Sequence, residues 1–213
     1  MTTELLLIRH GETAWNAVRR LQGHLDIGLN DAGRRQAAAL ARALAAEPLA
    51  AIVSSDLQRA MHTAEAVAAF HHVPFHTDPA LRERGYGAFE GLLYTEIAER
   101  YPDDFAAWQG RHVDAVMPHG ERVAESFRHF YQRCIAAIGR CADAYAGRRL
   151  AIVAHGGVLE CAYRAANEMA LESPRDFQVR NASINRFTWA DGRLALTQWG
   201  DVEHLAQALD DIV

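Results

Sequence analysis

An arginine and a histidine stand together at Arg9-His10, between the apolar run Leu5-Leu6-Leu7-Ile8 and Gly11. A second histidine, His155, follows another apolar run, Leu150-Ala151-Ile152-Val153-Ala154, and precedes Gly156-Gly157. A guanidinium and an imidazole fixed at one point suit an anion, most simply a phosphate, whose oxygens arginine grips in a fork. Short unbroken apolar runs read as strands buried on both faces. Open α/β sheets hold ligands in the crevice beyond the carboxyl ends of such strands. Gly11 is expected to let the backbone turn sharply and a ligand approach closely. Taken alone, Arg9-His10 reads as an ordinary surface pair and His155 as a structural histidine. The repeated order of strand, histidine and glycine favours a site.

The elements that position these groups alternate strand and helix. Thr13 or Asn16 can cap a short helix after the first strand, and 17–29 is irregular. Asn30 suits an N-cap for a helix over 31–47, whose Ala37, Leu40, Ala41 and Leu44 share a face and which stops before Pro48. A strand over 50–53 leads to Ser54-Ser55-Asp56, expected to cap a helix reaching about 70. Arg59 falls in its first turn, within reach of the His10 crevice. A short strand follows at 73–76. The glycine-rich, polar stretch 81–91 reads as a mobile loop with solvated charges. Short helices over 94–101 and 103–109 come next. A long amphipathic helix over 121–146 has Val123, Phe127, Phe130, Cys134, Ile138 and Cys141 inside. A strand over 149–154, a helix over 158–167, a hairpin of strands 183–189 and 194–199, and a tail over 201–213 complete the chain. The pattern predicts one α/β domain over 1–213. It is a three-layer α/β/α sandwich with a mostly parallel central sheet and a small helical lid insertion at about 84–122.

The string from Arg9-His10-Gly11 to Trp15-Asn16 resembles the signature of the histidine phosphatase superfamily, the phosphoglycerate-mutase-like proteins. So do Ser54-Ser55-Asp56-Leu57-Gln58-Arg59-Ala60 with Thr63-Ala64, Glu83 within Leu81-Arg82-Glu83, His155-Gly156-Gly157, and Asn181-Ala182-Ser183-Ile184. These blocks span most of the chain in the family's order, and Gly87-Ala88-Phe89-Glu90-Gly91 fits the phosphatase branch. The resemblance implies that His10 is a nucleophile forming a phosphohistidine, with Arg9 and Arg59 holding the phosphate. It makes Glu83 the general acid and then base, and His155 a donor to the transferred group. It also places Asn16, Gln22, Gly23 and Gly156 at the phosphate, and it calls for no metal or other cofactor. Two adjacent guanidinium groups should hold His10 neutral.

Composition bounds the partners. The 22 basic residues, all arginine, stand against 27 acidic ones, and a net charge of −5 argues against a general nucleic-acid binder. No apolar run has membrane length and no leader pattern opens the chain, so a cytoplasmic protein is expected. Cys134, Cys141 and Cys161 read as small buried hydrophobes, and the 11 histidines show no metal-ligand spacing. The expected partner is a small-molecule phosphomonoester, with a homodimer through the late hairpin's edge left open. Three activities compete: a phosphatase, a mutase passing the phosphoryl group to another hydroxyl of a phosphoglycerate, and a non-catalytic phospholigand binder. The complete set of site residues argues against the last. Mutases of the family carry an Arg-His-Tyr-Gly block, a lysine-containing segment and a longer lid; here Glu83-Arg84-Gly85-Tyr86-Gly87 stands instead, which favours the phosphatase. Arg84, Arg111 and Arg122 are the candidates for a substrate carboxylate, and the leaving group's identity rests with the lid.

Overall fold

The computed structural model describes residues 1–209. Its centre is a six-stranded sheet in the order β3-β2-β4-β1-β5-β6. The strands are β1 (Thr3–Arg9), β2 (Ala51–Ser54), β3 (Phe75–Thr77), β4 (Arg149–Ala154), β5 (Ile184–Ala190) and β6 (Arg193–Asp201). The first four in spatial order run parallel; β5 pairs antiparallel to β1, and β6 antiparallel to β5. Both faces of β1 are covered, which accounts for its unbroken apolar run. Leu6 and Ile8 pack with Leu40, Leu44, Ala60 and Val67 of α2 (Asp31–Leu44) and α3 (Gln58–Ala68). Leu5 and Leu7 pack with Phe130, Ile138, Val158 and Leu159 of α6 (Phe127–Ala144) and α7 (Gly156–Ala166). The three-layer α/β/α architecture is therefore as expected.

One register positions the site. Arg9 lies opposite Ala154 in the parallel β1–β4 pair, so the next residues, His10 and His155, leave the sheet side by side. His10 N–H donates to the Ala154 carbonyl at 3.0 Å and keeps that pairing one residue beyond the strand.

Several local expectations give way to long-range partners. The N-cap of α3 is Leu57, with no side-chain cap of its own. Asp26, 32 residues away, accepts from Gln58 N–H at 2.7 Å instead, while Asp56 is drawn off into a two-pronged pair with Arg82 at 2.7 and 2.6 Å. The long helix α6 begins at Phe127, capped by Ser126. Val123 is 58% exposed rather than on its inner stripe, because residues 123–125 bridge to the chain at 85–87 instead of joining the helix. The stretch 81–91 is not a solvated loop: Leu81, Arg84, Phe89 and Glu90 are buried.

The insertion contains α4 (Tyr94–Arg100) and α5 (Pro102–Gln109) and has a small core of its own around Phe89, Ile97 and Met117. The expected tail instead forms the end of β6 and α8 (Glu203–Leu209); residues 210–213 lie outside the described part. Cys134 and Cys161 are buried and Cys141 partly so, all three as free thiols. Among the described residues no helix is long and apolar enough to cross a membrane.

The borrowed cap on α3 is testable. Asp26→Ala should lower the free energy of unfolding in urea by about 1 kcal/mol with an unchanged denaturant slope. Unchanged stability would mean that Asp26 does not cap the helix.

Candidate active site

His10 is 3% exposed, and its Nδ1 lies 2.7 Å from the Gly11 carbonyl oxygen. A carbonyl only accepts, so Nδ1 carries the proton and Nε2 is left with a bare lone pair. The His155 ring stands beside it, with centroids 5.2 Å apart and planes at 60°. His155 is fully buried; its Nε2 is 2.8 Å from Ser55 Oγ and its Nδ1 has no partner. Burial, first, and then the Arg59 and Arg9 guanidinium groups hold both imidazoles well below the usual histidine range; the bond to the Gly11 carbonyl works the other way on His10, and His10 and His24 press His155 further down. Gly11 serves a different purpose from the one expected. A Cβ there would lie 2.6 Å from the Gly33 carbonyl, so the glycine lets β1 end against the start of α2 rather than against a ligand.

Backbone carbonyls aim the two arginines. Arg9 donates to Val179 O at 2.6 Å; Arg59 donates to Leu25 O at 2.9 Å and Gly23 O at 2.8 Å. Burial lowers both pKa values, that of Arg59 to about 10, which leaves Arg59 a cation at neutral pH. Thr63 joins the arms: its hydroxyl accepts from Gly11 N–H at 3.0 Å and donates to Arg59 O at 2.8 Å. Asn181 donates to His10 O at 3.0 Å from the other side. Thr13 caps α1 (Ala14–Ala17), and Asn16 Oδ1 accepts back from Thr13 N–H, so only the Asn16 amide donors are left for a ligand.

Glu83 reaches the site from the insertion side. Its carboxylate accepts from Arg84 N–H at 2.8 Å and from Gly157 N–H at 3.1 Å, in the first turn of α7. A Cβ on residue 157 would overlap Glu83 Oε1 and stand 2.9 Å from the Phe130 ring, so only glycine admits the carboxylate there. His24 donates to the Glu83 carbonyl at 2.8 Å, and Arg133 of α6 donates to the carbonyls of Ala80, Arg82 and Glu83. The buried Glu90 carboxylate accepts from His24 N–H and Tyr86 N–H, both at 3.0 Å, and so ties the 22–24 turn to the Glu83 loop.

These groups enclose a cavity of about 500 Å³. Arg9, His10, Asn16, Gln22, Gly23, Arg59, Glu83 and Gly156 line it; His155 is not among the lining residues. Three further arginines at the mouth, Arg19, Arg20 and Arg175, were not anticipated. The arginines expected to hold a carboxylate are elsewhere. Arg84 is spent on Glu125 O and Ala115 O, Arg111 on Glu160 and Leu171 O, and Arg122 faces Glu90 at 3.7 Å. Ser55, Thr63, Glu90 and Arg133 position the site, and of these Arg133 alone falls outside the blocks that the sequence singled out.

The model of the histidine phosphatase superfamily (branch 1) matches residues 5–202. The chain belongs to this family. Among curated relatives, phosphoglycerate mutase-like protein 4 of Arabidopsis thaliana is 40% identical over 96% of this chain and 87% of its own length. A metal-independent phosphoserine phosphatase from the same plant is 36% identical, over 96% and 84%. Among solved structures, Bacillus stearothermophilus YhfR superposes with a TM-score of 0.86 at 35% identity, covering 95% of this chain and 99% of that one. Members of the superfamily are phosphatases or mutases, and the relatives of this member include both descriptions.

The two depressed imidazoles make stability depend on pH. A histidine whose folded pKa lies below the unfolded value of about 6.5 contributes fully above that pH and loses the contribution as pH falls beneath it, by up to about 1.4 kcal/mol per pH unit. Urea unfolding at about pH 7 and about pH 5.5 should therefore show a fall in stability that is smaller, by about 1 kcal/mol, in His10→Asn. An equal fall in both proteins would contradict a neutral, buried His10.

Proposed function

We propose that this protein is a metal-independent phosphomonoester hydrolase working through a phosphohistidine on His10. The observation that carries the reading is the bare Nε2 of a neutral His10 facing a cavity that Arg9, Arg59 and the Glu83 carboxylate share. In the first step Nε2 attacks phosphorus in line as the bond to the leaving oxygen breaks, and Glu83 hands its proton to that oxygen. Arg9 and Arg59 hold the equatorial oxygens while charge spreads over them, the role a metal ion has elsewhere. In the second, water attacks the phosphohistidine and gives a proton to Glu83. The N–P bond breaks and inorganic phosphate leaves.

The metal-independent phosphoserine phosphatase among the relatives supports hydrolysis. The mutase reading rests on the mutase-like relative and on the same phosphohistidine; the Glu83-Arg84-Gly85-Tyr86-Gly87 segment weighs against it. Phosphate release from a panel of phosphomonoesters in excess chelator, with 3-phosphoglycerate isomerisation followed in parallel, separates the two. The expected result is chelator-insensitive release that outpaces isomerisation; isomerisation much faster than release would make the protein a mutase.

His155 has a role in this reading through its tautomer. Leu57 N–H points at Ser55 Oγ at 3.4 Å, which leaves the Ser55 proton for His155 Nε2. The proton of His155 is then on the unpartnered Nδ1, ready to donate to the phosphoryl group carried by the neighbouring ring. Ser55→Ala should slow phosphoenzyme formation about tenfold to a hundredfold in rapid-quench experiments, and an unchanged rate would show that the hydroxyl does not direct His155.

A further inference from the structure

Glu90 is buried, yet only half of its carboxylate is used. One oxygen accepts from His24 N–H and Tyr86 N–H, both at 3.0 Å, while the other is buried with no hydrogen-bond partner among the described residues. Arg122 Nε stands 3.7 Å from that second oxygen, on a side chain that is 41% exposed. A buried carboxylate left in this state costs folding free energy, so what it holds is the reason to look for a role. Gly23, at φ of 52°, lies directly against it: a Cβ there would be 2.0 Å from Glu90 Oε1. The acid and the 22–24 turn are packed to each other.

The two loops that Glu90 joins carry the two ends of the chemistry. On one side, the Gly23 carbonyl accepts from Arg59 at 2.8 Å. The next residue, His24, donates from Nε2 to the Glu83 carbonyl, also at 2.8 Å. On the other side, Tyr86 follows Glu83 by three residues on the same loop. Paths therefore run from Glu90 to the Arg59 guanidinium and to the Glu83 backbone through hydrogen bonds no longer than 3.0 Å. The Glu90 charge also favours the cationic form of Arg59. A carbonyl only accepts, so His24 carries a hydrogen on Nε2, and it does so in that neutral tautomer and in the cation alike. The bond to Glu83 thus outlasts any titration of His24.

We infer that Glu90 and His24 are positioning residues that set the spacing between Arg59, which grips the phosphoryl group, and Glu83, which hands a proton to the leaving oxygen. This rests on the phosphomonoester reading and deepens it. Neither side chain lines the cavity, so both act through other groups. The Asp56–Arg82 pair and Arg133 hold the Glu83 loop to β2 and α6. The Glu90–His24 link has a different task, since it ties that loop to the carbonyl that aims Arg59. Proton transfer needs hydrogen-bond reach to the leaving oxygen while the phosphate stays in its grip. A misplacement of about 1 Å between such groups costs about a hundredfold in rate.

The test compares 4-nitrophenyl phosphate, whose leaving group departs without a proton, with glycerol 3-phosphate, whose alkoxide needs one. In His24→Ala, kcat/KM for glycerol 3-phosphate should fall about tenfold to a hundredfold, and that for 4-nitrophenyl phosphate less than about threefold. A general loss of structure would lower both alike. His24→Gln, which restores an N–H donor at similar reach, should recover most of the loss. Glu90→Ala, which releases both loops, should lower both substrates and glycerol 3-phosphate the more; Glu90→Gln, which keeps an acceptor oxygen, should lose less on each. Equal losses on the two substrates in His24→Ala, or no loss on either, would overturn the inference. If Glu90→Ala fails to fold, the His24 variants decide alone. Should the wild type hydrolyse neither compound, that failure counts against the phosphatase reading, and crystal structures of the wild type and His24→Ala with inorganic phosphate make the comparison. A distance from Arg59 to the Glu83 carboxylate that widens by about 1 Å in the variant would support the inference, and an unchanged distance would overturn it.

Discussion

The hydrogen bond from His10 Nδ1 to the Gly11 carbonyl decides what the rest of the site can do. It puts the ring's one proton on the side away from the cavity, and burial beside two guanidinium groups keeps a second proton off. Every other feature either enforces that state or depends on it. Arg9 and Arg59 are buried cations, costly in an apolar interior unless their donors are met. The carbonyls of Val179, Gly23 and Leu25 meet some of them, and Nε of each remains unpartnered. A bound phosphate is the natural complement to such an arrangement, and its charge and lone pairs would complete it.

Holding these groups at fixed spacing is a matter of cross-links between segments distant in sequence. The β1–β4 register sets His10 beside His155 without any side-chain device. Thr63 then ties Gly11, just past β1, to the helix that carries Arg59, and Asn181 with Ala182 closes over the His10 backbone. Ala182 is fully buried with φ of 53°, a left-handed conformation that a residue with a Cβ adopts at some cost. Its N–H donates toward the carbonyls of Arg9 and His10, so the strain sits at the clamp on His10. Arg133 and Glu90 do for the Glu83 loop what these residues do for the histidines.

What the sequence disclosed and what it hid divides along the range of the forces. Strands β1 and β4 were legible because burial on both faces writes an unbroken apolar run, and α2 because its inner face repeats at helical spacing. The site residues were legible where a residue type unsuited to a core stands at the end of such a strand, as with His10 and His155. The stretch 81–91 was misread because its charges are satisfied from afar: Arg84 by carbonyls at 115 and 125, Glu90 by backbone donors at 24 and 86. The same reason hid the Asp26 cap on α3 and moved the start of α6 to Phe127. Arg19 and Arg175 left no local mark at all, because only the folded chain brings their segments to one mouth.

The central claim is that the Nε2 lone pair of His10 carries the phosphoryl group. Rapid quenching into alkali during turnover preserves phosphohistidine, and the isomer can be assigned by phosphorus–nitrogen coupling in 15N-labelled protein. The account predicts a single phosphohistidine, at residue 10, substituted on Nε2. Substitution on Nδ1, or phosphate attached to any other residue, would contradict it.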